Sequence, residues 1–63
     1  MKQYQLRAFV KESVTKHPHL KDEIYDLYEL CLDEISEGGS PEHEIQLCIT
    51  DIEQLIEQDG EDQ

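Results

Sequence analysis

The sequence is short and strongly acidic: its 63 residues include 16 acidic and five basic ones, which gives a formal net charge of −11. A chain of this length makes one domain, which buries about 60% of the surface that the unfolded chain exposes. Hydrophobic residues make up only 37% of the sequence, and the mean hydropathy is −0.72. This composition approaches that of disordered proteins, so a fold depends on how the apolar residues are spaced.

Two classes of segment are missing from the sequence. It contains no apolar run long enough to span a bilayer, and its first residues lack the apolar stretch of a secretory signal. We therefore expect no membrane partner and a cytoplasmic location, either in the protein's own cell or in a host cell. In that compartment Cys31 and Cys48 are expected to be reduced thiols.

The first helix is predicted over about residues 3–16. Its apolar positions recur at intervals of three and four, which is the spacing of one helical face. These positions are Leu6, Phe9, Val10 and Val14, with Ser13 and His17 continuing the stripe. Pro18 lacks a backbone donor and disfavours helical geometry at the residue before it, so this helix ends there and the next can begin.

The second helix is predicted over about residues 18–37. Its inner stripe consists of Leu20, Ile24, Leu27, Tyr28, Cys31 and Ile35, with Tyr25 and Leu32 at its margin. Asp22 and Glu23 in the first turn complement the helix dipole. Gly38 and Gly39 supply the left-handed backbone that commonly ends a helix.

The third helix is predicted over about residues 41–58, with residues 59–63 as a frayed acidic tail. Ser40 followed by Pro41 is typical of a helix start. The inner stripe consists of Ile45, Cys48, Ile49, Ile52, Leu55 and Ile56.

A short connection makes helices 2 and 3 antiparallel neighbours, whose facing residues then have numbers of constant sum. The facing pairs are Ile24 with Leu55, Leu27 with Ile52, and Cys31 with Cys48, which all sum to 79. The sequence therefore predicts an all-α, compact three-helix bundle, with residues 1–63 as one small helical domain. A homodimer stays open, since it would bury apolar surface that the monomer exposes.

Charge is divided along the chain. All five basic residues lie within residues 2–21, whereas residues 22–63 contain 15 of the 16 acidic residues and no Lys or Arg. On helix 2, five carboxylates recur at helical spacing nearly opposite the apolar stripe. They are Asp22, Asp26, Glu29, Asp33 and Glu37, which we call the acidic ridge. The ridge extends over about 22 Å at 1.5 Å per residue.

The acidic residues of helix 3 extend this charged surface, with Glu53 and Glu57 added to the acidic ridge as candidate partner-binding residues. A single exposed carboxylate is ordinary, but so much unbalanced charge repels itself and lowers stability. We therefore predict a small acidic protein–protein interaction module that docks a basic protein surface. An inhibitor and a nucleic-acid mimic are specific forms of this prediction. Direct nucleic-acid binding is not expected, because basic residues are few and partly committed to the acidic helices.

A second hypothesis is a structural unit for assembly or oligomerisation. Several residues with apolar or aromatic side chains lie outside the core stripes, and basic residues accompany one of them at helical spacing. This alternative interface consists of Tyr4, Arg7, Lys11, Leu30 and Leu47.

Catalytic and metal sites are not predicted. The cysteines fall within apolar stripes and are interpreted as core thiols, and packed helix axes usually hold alpha carbons too far apart for a disulfide. His17, His19 and His43 lack the spacing of zinc ligands. No pair of acidic residues is marked by burial or by a neighbour that would tune it for general acid–base catalysis. We expect no enzyme activity and no cofactor.

Small acidic helical proteins encoded by bacteriophages, which often bind host factors, are similar to this chain in size and charge. The resemblance rests on the 63-residue length and the net charge of −11, and it involves no motif. It therefore implies a bacteriophage protein of the interaction type but assigns no residue a role.

Overall fold

The computed structural model describes residues 3–61, and within that range it contains three α-helices, a short 3-10 helix and no strand. The α-helices are α1 (Gln3–Lys16), α2 (Lys21–Ser36) and α3 (Pro41–Glu61), and the 3-10 turn is Pro18–Leu20. The all-α three-helix prediction is confirmed. The molecule is compact, with dimensions of 38 × 18 × 17 Å.

The start of the second helix differs from the prediction. One helix was expected from Pro18, whereas the chain makes a 3-10 turn there and becomes α-helical only at Lys21. His17 precedes the proline and takes the non-helical angles φ −133° and ψ 66°. Its carbonyl accepts the Leu20 N–H at 2.9 Å, which closes the tight turn.

The end of α2 follows the chemistry of the glycine pair. Gly38 has φ +107°, a conformation that only glycine adopts without strain. The Gly38 N–H donates to the Ile35 carbonyl at 3.1 Å, and the Gly39 N–H donates to the Glu34 carbonyl at 2.8 Å. These are the two hydrogen bonds of a Schellman motif, so the helix ends at Ser36, one residue before the predicted end.

The last helix is longer than predicted. α3 continues to Glu61, so the predicted end at residue 58 is three residues too early, and the fraying of the segment from residue 59 stays a prediction. Residues 62 and 63 lie outside the described residues. Asp59 explains the extension, because its Oδ2 atom lies 2.7 Å from Nε2 of His19 and so ties this end of α3 to the 3-10 turn.

The core forms where the three predicted stripes meet. Its buried apolar residues are Leu6, Val10, Leu20, Ile24, Cys31, Ile45, Cys48, Ile49 and Ile52. α2 and α3 pack most extensively against each other, and α1 packs against both. Ser13 is the buried polar residue of α1, as expected from its place in the stripe. The predicted inner faces are therefore confirmed.

Candidate functional site

Four residues of the acidic ridge lie on the exposed face of α2, and Glu37 follows directly as the residue that caps the helix. All five side chains of the ridge are exposed. Among residues 3–61, Lys16 forms an ion pair with Glu12 and His19 contacts Asp59, so no ridge carboxylate has a cationic partner there. The fold therefore leaves a row of unpaired negative charges open to solvent.

The basic residues of α1 do not neutralise this surface. Lys16 Nζ lies 2.9 Å from Oε1 of Glu12 on the same helix, and both side chains are exposed. The hydrogen bond and the charge of Lys16 lower the pKa of Glu12. Arg7 and Lys11 are exposed on the outer side of α1. Among residues 3–61, no Lys or Arg forms an ion pair with a carboxylate of α2 or α3, although Lys16 lines a groove together with Glu53 and Glu57 of α3.

Glu53 and Glu57 occupy a different place from the ridge. Both line an open groove of about 410 Å³ between α1 and α3, to which no ridge residue contributes. Lys16 and the ring of Phe9 line the same groove. The candidate partner-binding residues are thus divided between the outer face of α2 and the α1–α3 groove.

Leu30 and Leu47 are brought together by the fold. They are 60% and 46% exposed, and both line a groove of about 110 Å³ between α2 and α3, which we call the α2–α3 groove. Its lining residues are Leu27, Leu30, Cys31, Glu34, Glu44, Leu47, Cys48 and Asp51. Tyr4, which is 67% exposed, lies on α1 and does not line it. The alternative interface is therefore two separate surfaces.

Sequence reasoning missed the carboxylates of the α2–α3 groove as a set. Glu34, Glu44 and Asp51 line the groove together with the two exposed leucines. The sequence-based predictions instead assigned acidic residues to partner docking and exposed apolar residues to the competing assembly hypothesis. A signal was present: on each helix the four lining residues follow the spacing i, i+3, i+4, i+7, which places them on one strip.

The two thiols form the floor of the α2–α3 groove. Both are free and buried, and Cys48 Sγ donates to the Leu27 carbonyl at 3.7 Å. Burial raises the pKa of Cys31, and burial together with the neighbouring Cys31 raises the pKa of Cys48 to about 12. Both groups are therefore neutral at physiological pH, which suits a packing role and not a nucleophilic one.

We predict that this thiol pair makes the fold sensitive to alkaline pH. A pKa raised on folding means that stability is complete below the unfolded value of 9.0 and falls as the pH rises toward 12. Denaturant unfolding followed between pH 7 and pH 11 should show this decline. Cys48→Ala should be less stable at pH 7 but should lose less stability with rising pH. An equal decline in both proteins would contradict the assignment.

The histidines do not gather into a site. The rings of His17 and His19 lie 6.2 Å apart on either side of Pro18, while His43 is exposed in the first turn of α3. Over residues 3–61 the structure contains no group of three or more His, Cys, Asp or Glu side chains arranged to hold a metal ion.

No helix in the described part of the chain is both long enough and apolar enough to cross a bilayer.

No protein-family model, curated protein or solved structure matches the chain.

Proposed function

We propose that this protein is a small acidic interaction module that docks a basic surface of a partner protein through carboxylates of α2 and α3. The observation that supports it is the exposed, unpaired acidic ridge on a fold whose Lys and Arg residues all precede residue 22. Repulsion along such a ridge lowers stability, and a partner with opposite charge would remove that cost.

The proposed mechanism is electrostatic steering followed by docking. A row of like charges accelerates the approach of an oppositely charged surface and selects against acidic ones. Binding should therefore weaken steeply with salt, because exposed charges are screened beyond about 8 Å at physiological ionic strength. We place this activity in the cytoplasm, where the two free thiols stay reduced.

We also propose that α2 and α3 form an antiparallel hairpin, which holds the docking surface rigid. Three contacts support this arrangement. Cys31 lies beside Cys48. Near the connection, a Cβ added at Gly39 would lie 2.8 Å from the Glu34 carbonyl oxygen and 3.3 Å from Cγ of Glu44. At the far end, His19 of the turn before α2 pairs with Asp59 of α3.

The proposal is tested by removing charge at constant shape. The ridge-neutral variant carries Asp26→Asn, Glu29→Gln and Asp33→Asn, and the control variant carries Glu12→Gln, Glu23→Gln and Glu42→Gln. All six side chains are exposed, and both variants change the net charge equally. Immobilised wild-type protein should retain basic proteins from a lysate that elute with salt, and the ridge-neutral variant should retain them more weakly.

The control decides whether position or only net charge matters. The control variant should retain the same proteins nearly as well as the wild type. Equal retention by the ridge-neutral variant would contradict the proposal. If the retained protein binds nucleic acid, competition by a DNA duplex would identify the inhibitor or mimic form, since the duplex would displace it from the same basic site.

The second candidate function is an assembly unit, which the joint exposure of Leu30 and Leu47 favours. It predicts an oligomer that persists at high salt and is lost in Leu47→Glu. Sedimentation at two ionic strengths measures this directly. A monomer at both ionic strengths would contradict the assembly function and leave the docking proposal standing.

A further inference from the structure

The α2–α3 groove combines exposed apolar side chains with acidic ones. Its centre is apolar, because Leu30 and Leu47 expose 60% and 46% of their surface beside Leu27. Its rim is formed by the carboxylates of Glu34, Glu44 and Asp51, and no basic residue lines the groove. Elsewhere in the described chain the large exposed hydrophobic residue is Tyr4, which lies on the basic helix α1. The groove therefore combines exposed leucines with negative charge and, unlike the α1–α3 groove that Lys16 lines, contains no basic residue.

The length of the two rows of lining residues sets the length of helix that can lie in the groove. The lining residues run from Leu27 to Glu34 on α2 and from Glu44 to Asp51 on α3. At 1.5 Å per residue each strip is about 10 Å long, which matches two turns of a helix laid along it. The main chain of Glu34 and Cγ of Glu44 both lie beside Gly39, so these two lining residues mark one end of the groove.

We propose that the α2–α3 groove binds a basic amphipathic helix of the partner, whose apolar anchor packs between Leu30 and Leu47 while its Lys or Arg side chains pair with the rim carboxylates. This inference rests on the proposed function and specifies the form of the partner. Helices that bind in grooves use apolar anchors at i, i+3, i+4 and i+7, and the acidic rim selects those whose polar face is basic.

A second copy of this chain is a poorer occupant for electrostatic reasons. Two copies that meet through the groove would bring Glu34, Glu44 and Asp51 of one molecule toward the same three carboxylates of the other. Like charges that face each other across an interface oppose association. A basic helix instead gains attraction from the same three groups.

Two synthetic peptides test the proposal with a defined probe. Both consist of Leu and Lys in equal composition and have about 14 residues. In the amphipathic peptide the leucines occupy one helical face, and in the scrambled peptide they are spread around the helix. Fluorescence anisotropy with labelled peptide should show that the amphipathic peptide binds at least about tenfold more tightly, because only it buries its leucines in the groove.

Matched variants locate the binding site. Leu30→Gln and Leu47→Gln should each weaken binding of the amphipathic peptide about tenfold, as expected for losing one buried leucine contact. Tyr4→Gln is the control, since it removes an exposed ring outside the groove and should leave the affinity unchanged. Neutralising Glu34, Glu44 and Asp51 together should weaken binding and reduce its dependence on salt. Circular dichroism checks that each variant is helical.

The outcomes separate this inference from the proposed function. Equal binding of both peptides, weakened by the ridge-neutral variant and not by the leucine variants, would overturn the inference and leave docking through the ridge intact. Loss of binding in the leucine variants without any effect of the rim carboxylates would also overturn it, because the partner need not then be basic. Salt-independent binding of both peptides would overturn the inference and the proposed function together.

Discussion

Ile52→Ala is expected to lower the free energy of unfolding by about 2–5 kcal/mol, the usual cost of truncating a buried isoleucine. The Ile52 side chain is fully buried at the centre of α3. A single core of this size rarely supplies more than about 3–5 kcal/mol of net stability. The variant should therefore be largely unfolded at room temperature, with most of its helical circular dichroism signal lost.

Leu30→Ala is the matched control, because it also truncates a large aliphatic side chain to alanine on a helix. Leu30 is 60% exposed, so this change should alter the free energy of unfolding by no more than about 0.5 kcal/mol. Urea unfolding of the two variants and the wild type, followed at 222 nm by circular dichroism, measures both effects. Equal destabilisation by the two substitutions would show that the core does not centre on Ile52.

The helical stripes were predictable because each is a local property of the sequence. Ile24, Ile45 and Ile52 follow the three- and four-residue spacing that any amphipathic helix shows, and all three are almost completely buried. The end of α2 was predictable for the same reason, since Gly38 and Gly39 are adjacent and form the Schellman motif by themselves. Local spacing and local backbone chemistry were sufficient for these elements.

The two helix boundaries that were predicted wrongly have different causes: one depends on a contact between distant residues, and the other on whether a local turn is 3-10 or α-helical. Asp59 was placed in a frayed tail, yet it contacts His19, which lies 40 positions earlier in the chain. The start of α2 was placed three residues too early, because the sequence marks Pro18 as a helix start but does not show that Leu20 closes a 3-10 turn. The contact with Asp59 leaves no local signal, whereas the turn at Leu20 is local, but a proline start is compatible with either a 3-10 or an α-helical turn.

The candidate site was predictable in part. The exposure of the ridge followed from its position opposite the apolar stripe of a single helix. The placement of the α3 carboxylates depends on how α3 is rotated against its two neighbours. That rotation directs Glu53 and Glu57 toward α1, and Glu44 and Asp51 toward α2. It also unites Leu30 with Leu47, which neither helix alone indicates.

The ridge-neutral variant should be more stable than the wild type although it binds its partner more weakly. The ridge residues stand three or four positions apart in sequence, and like charges at that spacing each cost about 0.2–0.5 kcal/mol. Replacing the middle three carboxylates by amides relieves all four repulsions, so the free energy of unfolding should rise by about 1–2 kcal/mol. Asp33 also lies in the last turns of α2, where a negative charge opposes the helix dipole.

Salt and the control variant identify the cause of this gain. Added salt should stabilise the wild type more than the ridge-neutral variant, because it screens repulsions that the variant has already lost. The control variant should gain nothing, since Glu12 pairs with Lys16 and the other two positions lie in first turns, where carboxylates complement the dipole. Thermal unfolding at low and high salt measures all three proteins. If the ridge-neutral variant were no more stable than the wild type, repulsion along the ridge would not cost stability, and the main physical reason for assigning the ridge a binding role would be lost.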